Sequence, residues 1–370
     1  MRKSLKVRLL PTKEQEELMF KSIGCSRFAY NWALNRCNEL YKQDVKYNMS
    51  NIRKEFTQLK KQNDFKWLNE VSNKTMVESM RNLDKAFKSF FKKKTKYPKF
   101  KSKKKSRQSF YVRYDTLYFK DDVCNIEKIG KVKYKTNYNI PNYKYSNPYC
   151  SFDGKYWYLS FGIEFNENQV ELNKDLSIGI DLGIKELAVC SNGMIFENIN
   201  KTKEVRRLKK KLKRLQRKLS RQIKGSNNYY KTKEKIARIN SKIKNSRRHN
   251  IINIVNKLVK DYDIVVSEKL HVKEMSHSHN LAKNILDASF NKICQVLKWK
   301  CKVLGKYYYQ VDTYFPSSKK CSHCDSKTNK TNNLNVRNWI CEECGCENDR
   351  DINASINIMF EGLKIHYQSI

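Results

Sequence analysis

The sequence contains no run of about 18 apolar residues, the length that a transmembrane helix needs, so we expect no membrane-spanning helix. Its first ten residues mix apolar and basic side chains, and without an uninterrupted apolar stretch they predict no secretory signal. Acidic residues are also scarce, because 37 Asp and Glu stand against 77 Lys and Arg. The lack of export signals predicts a reducing compartment for the twelve cysteines, which argues against disulfides.

The excess of positive charge indicates the class of partner. A formal charge of +40 repels itself on a solvated surface and favours a polyanion that neutralises it. Basic residues occur along the whole chain and not in one tail, which favours nucleic acid over an anionic membrane surface. Aromatic residues make up 12% of the chain. Basic and aromatic side chains together are typical of proteins that bind phosphates and stack on bases.

Two Cys-x-x-Cys pairs near the end of the chain have the spacing of a structural zinc ribbon. Their members are Cys321, Cys324, Cys341 and Cys344. Two tight turns that each offer two thiolates complete a closed tetrahedral site. The alternatives are disulfides or buried thiols, and the expected reducing compartment argues against the first. Cys346 and His323 lie close by but do not fit the paired spacing, so we exclude them.

The first half of the chain changes from a helical to a β-rich pattern. Leu5, Val7 and Leu9 alternate with polar residues and predict a short strand. Thr12 and Gln15 form a capping-box pattern that opens a helix to about residue 41, and residues 76–90 carry an apolar helical stripe. Residues 110–165 alternate short aromatic and β-branched runs with turn signals, which predicts a meander of strands in a small barrel.

The second half mixes buried strands with long basic helices. Strands are predicted at residues 177–181, 186–189 and 263–268, and a further helix at Ala288–Leu304. Between the second and third strands lies a helical hairpin with leucine and isoleucine seams at three- and four-residue steps. Its seam residues are Val205, Leu208, Leu212, Leu215, Leu219, Ile236, Ile239 and Ile243. The remaining positions are nearly all Lys and Arg, which favours a face toward phosphates over an ordinary solvated face.

Three carboxylates stand at element ends, in an order typical of RNase H-like nucleases. Asp181 ends one apolar strand, Glu268 ends a later one, and Asp351 lies near the start of the last helix. Each alone also suits an ordinary turn, strand end or helix start. Together they could gather two Mg²⁺ ions for phosphodiester hydrolysis. The helical periodicity alone does not show whether Asp349 or Asp351 is the third carboxylate of the set.

The chain resembles TnpB, the RNA-guided nuclease family of bacterial and archaeal insertion sequences, which is related to type V CRISPR effectors. The resemblance rests on residues 8–12, 24–32, 83–91, 97–101, 179–183, the strand ending at Glu268, residues 316–319 and residues 349–358. It implies a catalytic triad of Asp181, Glu268 and Asp351, and it selects Asp351 over Asp349.

The resemblance also implies a multidomain α+β architecture. It combines an RNase H-like (RuvC) α/β nuclease domain that carries an inserted zinc ribbon, a β-barrel wedge domain and a helical recognition module. The expected boundaries are 1–10 for the first wedge strand, 11–108 for the recognition module, 109–172 for the wedge barrel, 173–315 for the nuclease with its basic hairpin, 316–347 for the zinc ribbon and 348–370 for the last nuclease helix.

The function implied is that of an RNA-guided DNA endonuclease of a transposable element. It would cleave double-stranded DNA beside a short flanking motif, using Mg²⁺, with a guide RNA from its own element. The implied location is the cytoplasm of a prokaryotic host, in association with the nucleoid. The alternatives are an RNA-guided repressor that binds without cleaving, and a direct DNA transposase. The oligomeric state stays open.

Ten residues are predicted to contact nucleic acid. Five lie in the family-like motifs at residues 24–32 and 97–101, and five on the outer face of the basic hairpin. They are Arg27, Tyr30, Asn31, Lys99 and Lys101, and Arg206, Lys210, Arg214, Arg217 and Arg221.

Overall fold

The computed structural model describes residues 2–141, 145–164, 176–275, 277, 282–333 and 335–368. The chain divides into two units, Met1–Phe165 and Asn166–Ile370. Each unit has its own apolar clusters, so each is described by itself. In the described part of the chain, no helix is both long and apolar enough to cross a membrane.

Three helices of the first unit pack around one apolar cluster. They are α1 (Lys13–Lys42), α2 (Met49–Leu59) and α3 (Asn73–Phe91), with a 3-10 helix at Asn63–Glu70. The predicted capping box is confirmed, because the Gln15 N–H donates to Thr12 Oγ1 at 3.3 Å and the Thr12 N–H donates to Gln15 Oε1 at 3.1 Å. The apolar stripe of α3 is buried against α1, with Met76 and Leu83 fully enclosed.

The sheet of the first unit has seven antiparallel strands in the order β2-β6-β7-β1-β5-β4-β3. The strands are β1 (Arg2–Leu10), β2 (Ser109–Tyr111), β3 (Tyr118–Lys120), β4 (Val123–Ile126), β5 (Gly130–Lys135), β6 (Ser146–Phe152) and β7 (Trp157–Glu164). The sheet curls, because the rings of Phe119 on β3 and Phe161 on β7 are 5.0 Å apart although three strands separate them. In the described residues β2 and β3 do not pair, so the expected barrel is a curled, open sheet here.

The second unit is built on a five-stranded mixed sheet in the order β10-β9-β8-β11-β12. The strands are β8 (Ser177–Asp181), β9 (Glu186–Cys190), β10 (Ile195–Glu197), β11 (Ile264–Glu268) and β12 (Tyr307–Val311). Because β8, β11 and β12 are parallel, their carboxyl ends meet at one edge of the sheet. A separate two-stranded ribbon pairs β13 (Asn338–Ile340) with β14 (Glu347–Asp349).

Among its described residues the second unit also has six α-helices. They are α4 (Lys203–Ser220), α5 (Asn227–Asp261), α6 (Val272–Met275), α7 (Ala282–Ala288), α8 (Phe290–Val303) and α9 (Arg350–Gln368). The predicted start of the helix at Ala288 was wrong. Ser289 takes the left-handed conformation (φ 60°, ψ 37°) and separates α7 from α8, which begins at Phe290. The predicted α4–α5 seam is confirmed, with Val205, Ile239 and Ile243 buried between the helices.

Helix α9 lies unusually close to the sheet, and two glycines permit this approach. A Cβ atom built on Gly179 of β8 would lie 2.0 Å from the Ser355 carbonyl oxygen. A Cβ atom on Gly362 of α9 would lie 2.3 Å from Val266 Cγ1 on β11. Side chains at either glycine would therefore push α9 away from the strands that carry the candidate carboxylates.

Candidate active site and metal centre

Asp181 and Glu268 meet at the edge of the second sheet where the parallel strands end. The register pairs Ile180 with Ser267, so the two carboxylates are the next residues on neighbouring strands. The two carboxyl groups are close enough for each to affect the pKa of the other. Burial raises the pKa of Asp181 well above its usual range, and the nearby charges of Glu268 and Asp351 raise it further. Burial also raises the pKa of Glu268.

Asp351 joins this pair from the first turn of α9, and the structure explains why Asp349 does not. The Asp349 carboxylate caps the helix, accepting the N–H groups of Asp351 at 3.0 Å and Ile352 at 2.9 Å. Asp351 instead lies near enough to Asp181 to raise its pKa. The three acids predicted to form the triad are thus brought together in space.

Arg337 is a residue of the site that sequence reasoning missed. Its Nη1 lies 3.0 Å from both carboxylate oxygens of Asp351, and it comes from the segment just before β13. The carbonyl oxygen of Arg337 also accepts the N–H of Arg350 at 2.7 Å, so the ribbon and the start of α9 are fastened together. Nothing in its local sequence distinguishes Arg337 from the other basic residues of the chain, because the contact forms only when the ribbon is folded.

The carboxylate set suits a hard divalent cation. Oxygen ligands of this kind bind Mg²⁺, and a bound cation would offset the burial and the acidic neighbours that raise the pKa of Asp181. Among the described residues, only the four cysteines bring three or more potential ligand atoms within 4.8 Å of one another. The three carboxylates do not form so tight a group.

The four predicted cysteines form a compact sulfur cluster. The Sγ atoms of Cys321 and Cys344 are 3.7 Å apart, those of Cys324 and Cys341 are 3.6 Å apart, and all four lie within 4.8 Å of one another. A tetrahedron with zinc–sulfur bonds of about 2.3 Å requires sulfur separations of about 3.8 Å. The cluster therefore fits a zinc ribbon. Cys346 lies outside the cluster, as its spacing predicted.

Local backbone geometry positions these thiols. The residue after each pair adopts a left-handed conformation, with φ of 64° at Asp325 and 70° at Gly345, so that each turn folds back over its cysteines. Hydrogen bonds from the Ser326 hydroxyl and from backbone N–H groups lower the pKa of the Cys341 thiol to about 6. A thiol with this pKa is largely a thiolate at neutral pH, which is the form that binds metal.

The predicted outer face of the basic hairpin is exposed. This applies to Arg206, Lys210, Arg214, Arg217 and Arg221. Their contact with nucleic acid stays a prediction.

A second basic surface of the hairpin was not predicted. Helices α4, α5, α7 and α8 line an open cavity of about 830 Å³ with eight Lys or Arg residues and one acid, Asp287. Asp287 pairs with Lys209 at 2.8 Å and with Arg247 at 2.6 Å. Six cations of the lining form no ion pair with a described residue, so the cavity keeps a large positive charge. They are Lys210, Lys213, Lys244, Arg248, Lys283 and Lys292.

In the first unit the five predicted contact residues have different environments. Tyr30 is only 6% exposed and belongs to the helical core, so it is a poor candidate for stacking on a base. The side chain of Asn31 is bonded to the Lys101 backbone, and the Lys101 ammonium lies 3.7 Å above the Tyr30 ring. Burial lowers the pKa of Lys101 to about 8. Lys99 is exposed and Arg27 lines a surface cavity.

Comparison with known proteins places the chain in a family. A family model described as "Probable transposase" matches residues 160–279, and a model described as "Cas12f1-like, TNB domain" matches residues 290–358. A protein of Streptomyces pristinaespiralis named "Putative RNA-guided DNA endonuclease" is 31% identical over 367 residues, covering 98% of this chain and 90% of that protein. The chain belongs to the TnpB family. The resemblance inferred from the sequence motifs is thereby confirmed.

Further relatives of this TnpB-family chain agree. An Escherichia coli K12 protein named "Putative RNA-guided DNA endonuclease InsQ" is 29% identical. The alignment covers 97% of this chain and 92% of that protein. The cryo-EM structure of a Cas12f1–sgRNA–target DNA complex matches with a TM-score of 0.57 at 15% identity, covering 97% of this chain and 98% of that chain, which shows a shared fold. A helix-turn-helix model matches residues 1–46, where the structure has a strand and one long helix.

Proposed function

We propose that this TnpB-family chain is an RNA-guided DNA endonuclease of an IS605-like element, which cleaves double-stranded DNA next to a short flanking motif. The observation that carries the proposal is the meeting of Asp181, Glu268 and Asp351 at one sheet edge in a chain with a charge of +40. The names of the relatives support the same activity. A guide RNA would supply sequence recognition by base pairing, while the protein would read the flanking motif.

The proposed assignment of domains uses the boundaries expected from the sequence. Residues 1–10 and 109–172 form the wedge domain, residues 11–108 the recognition module, and residues 173–315 with 348–370 the RuvC-like nuclease. Residues 316–347 form the zinc ribbon. The mixed five-stranded sheet, with acids at the ends of β8 and β11, supports the nuclease assignment.

In the proposed mechanism Asp181, Glu268 and Asp351 hold the catalytic cations through their carboxylate oxygens. When bound there, Mg²⁺ would supply an activated water and would stabilise the leaving oxygen of the phosphodiester. Because burial raises the pKa of Asp181, this group must lose its proton before it can act as a ligand. Arg337 holds the Asp351 carboxylate in a fixed orientation by contacting both of its oxygens. The four-cysteine cluster would hold one structural Zn²⁺ that orders the ribbon from which Arg337 comes.

The basic surfaces of the hairpin are proposed to hold phosphates of the guide RNA and of its duplex with target DNA. The outer face presents exposed Lys and Arg, and the cavity around Asp287 has eight Lys or Arg residues against that one acid. Such contacts would position the nucleic acid without reading its sequence.

The test is to sequence the RNA that copurifies with the chain and to use it to direct cleavage of a plasmid library. We expect a discrete RNA and double-strand breaks beside one short motif. Asp181→Asn should abolish cleavage and leave guided binding intact, because the carboxylate binds metal and not the guide. Guided binding without cleavage by the unaltered chain would indicate the repressor, and strand-transfer products without RNA would indicate a transposase.

A further inference from the structure

An aromatic pocket opens on the surface of the first unit between α1 and the 3-10 helix at Asn63–Glu70. Its volume is about 560 Å³. It is lined by Gly24, Arg27, Phe28, Asn31, Trp32, Asn35 and Trp67. Three of these seven residues are large aromatics, and none is acidic. Trp67 is 41% exposed, although burial of an indole ring is strongly favourable.

The aromatic walls are held rigidly by the helical core beneath them. The Phe28 and Trp67 rings meet edge to face at 5.3 Å, and the Trp32 ring lies 5.1 Å from the buried ring of Phe56. The pocket is therefore preformed, and binding would cost little side-chain ordering.

Gly24 contributes open space rather than a close backbone approach. A Cβ atom built on Gly24 would meet nothing within 4 Å. Glycine inside a helix costs about 1 kcal/mol relative to alanine, and Gly24 is in the middle of the 30-residue helix α1. No neighbouring atom would clash with a larger side chain at position 24. The effect of the glycine is therefore to leave the space above it empty.

A basic segment is fixed beside this pocket. Asn31, which lines the pocket, donates to the Lys101 carbonyl oxygen at 2.9 Å and accepts the Lys101 N–H at 2.7 Å. This reciprocal pair holds the backbone of Lys101, in the middle of residues 99–105, against α1. Four lysines of the segment are exposed, namely Lys99, Lys103, Lys104 and Lys105. A flat aromatic site beside a row of cations is the arrangement that binds single-stranded nucleic acid.

We propose that this pocket takes an unpaired nucleobase, while the phosphates of the same strand lie on the lysines of residues 99–105. The base would stack on Trp67 and contact the Phe28 ring with its edge. Arg27 is the charged residue of the lining and offers only hydrogen-bond donors, so acceptor-rich base edges such as that of guanine are favoured. The proposal rests on the proposed function only in requiring that the chain bind nucleic acid, and it does not depend on cleavage.

The test uses the full chain, freed of copurified nucleic acid in high salt, and labelled single-stranded RNA and DNA of one sequence. Trp67→Ala removes the stacking ring and should weaken binding by about 5- to 150-fold, the range measured for single base–aromatic stacks. Gly24→Leu fills the pocket without a backbone clash and should weaken binding while retaining the thermal stability of the chain. GMP should quench tryptophan fluorescence in the unaltered chain and not in Gly24→Leu.

The matched control is Tyr41→Ala, since Tyr41 is an aromatic residue of the same helix that is 81% exposed and lies outside the pocket. It should bind as the unaltered chain does. Tighter binding of RNA would assign the pocket to the guide, and tighter binding of DNA would assign it to a displaced strand.

Unchanged affinity in stably folded Trp67→Ala and Gly24→Leu would overturn the proposal, as would an equal loss in Tyr41→Ala. The assay measures binding alone. If the pocket binds a base but the chain never cleaves DNA, the proposed nuclease function is refuted and the proposed base-binding role is not. Normal cleavage with unaffected binding in both variants would refute the pocket alone.

Discussion

Replacing Gly179 with alanine should disable the nuclease by moving a helix. The new Cβ atom would lie 2.0 Å from the Ser355 carbonyl oxygen and 2.7 Å from the Met359 nitrogen, whereas ordinary contact begins at 3.4 Å. Both neighbours are backbone atoms of α9, so the helix must retreat by roughly 1.4 Å, the difference between 3.4 and 2.0 Å. Asp351 lies one turn before Ser355 on the same helix and would move away from Asp181.

The expected magnitudes differ for stability and for activity. Overpacking of this kind costs about 1–3 kcal/mol of unfolding free energy. A displacement of about 1 Å at a catalytic group can reduce a rate by about 10²-fold. We therefore expect Gly179→Ala to fold and to bind guided DNA, but to cleave about a hundredfold more slowly and to require a higher Mg²⁺ concentration.

The assay is single-turnover DNA cleavage across a Mg²⁺ series, together with thermal unfolding. Gly362→Ala is the matched comparison, because its Cβ atom would meet the Val266 side chain of the same sheet, three turns further along α9 from Asp351. Gly362→Ala should lower the unfolding free energy by a similar amount and should reduce the cleavage rate much less than Gly179→Ala does. Wild-type cleavage and Mg²⁺ dependence in Gly179→Ala would refute the reasoning, and so would equal losses of cleavage in the two variants.

Three further predictions concern the metal centre, the hairpin and the carboxylate pair. Cys341→Ser should lose zinc in elemental analysis and destabilise the ribbon, because metal binding supplies its folding free energy; unchanged stability after chelation would contradict this. Reversing the charges of Arg206, Arg214 and Arg221 should weaken binding of every sequence and reduce the slope of log affinity against log salt by about 0.7–0.9 per lost phosphate contact; an unchanged slope would mean a merely solvated face. The raised pKa of Asp181 means that the folded state binds more protons than the unfolded state above pH 3.8, so metal-free stability should fall as pH rises from there. Asp181→Asn should flatten that pH dependence in metal-free thermal unfolding.

The parts of this molecule that depend on local pattern could be predicted from the sequence. The capping box at Thr12, the hairpin seam and the paired cysteine spacing each use residues close together in the chain. The positions of Asp181 and Glu268 at strand ends were also readable, because apolar runs mark the strands. Parallel pairing of β8 with β11 then accounts for their meeting.

Features that depend on distant residues could not be predicted. The cavity around Asp287 draws its cations from four helices, so no local run indicates it. Arg337 acquires its partner Asp351 only through the folded ribbon. Tyr30 stands in a family-like motif beside the half-buried Asn31, yet its position on the helix places its own side chain in the core. Choosing Asp351 over Asp349 from the fold required the capping hydrogen bonds that hold the Asp349 carboxylate.

The central place of β1 in its sheet has a consequence for the order of synthesis. The first strand leaves the ribosome before any of its partners, since it pairs with β5 at Lys133–Lys135 and with β7 from Trp157 onward. At about 5–20 residues per second, it waits roughly 7 to 30 s for the start of β7. Four of its nine residues are Arg or Lys, and charge on an unpaired strand opposes edge-to-edge aggregation. The nascent chain thus carries an open strand whose own charges protect it until the last strand of the sheet is made.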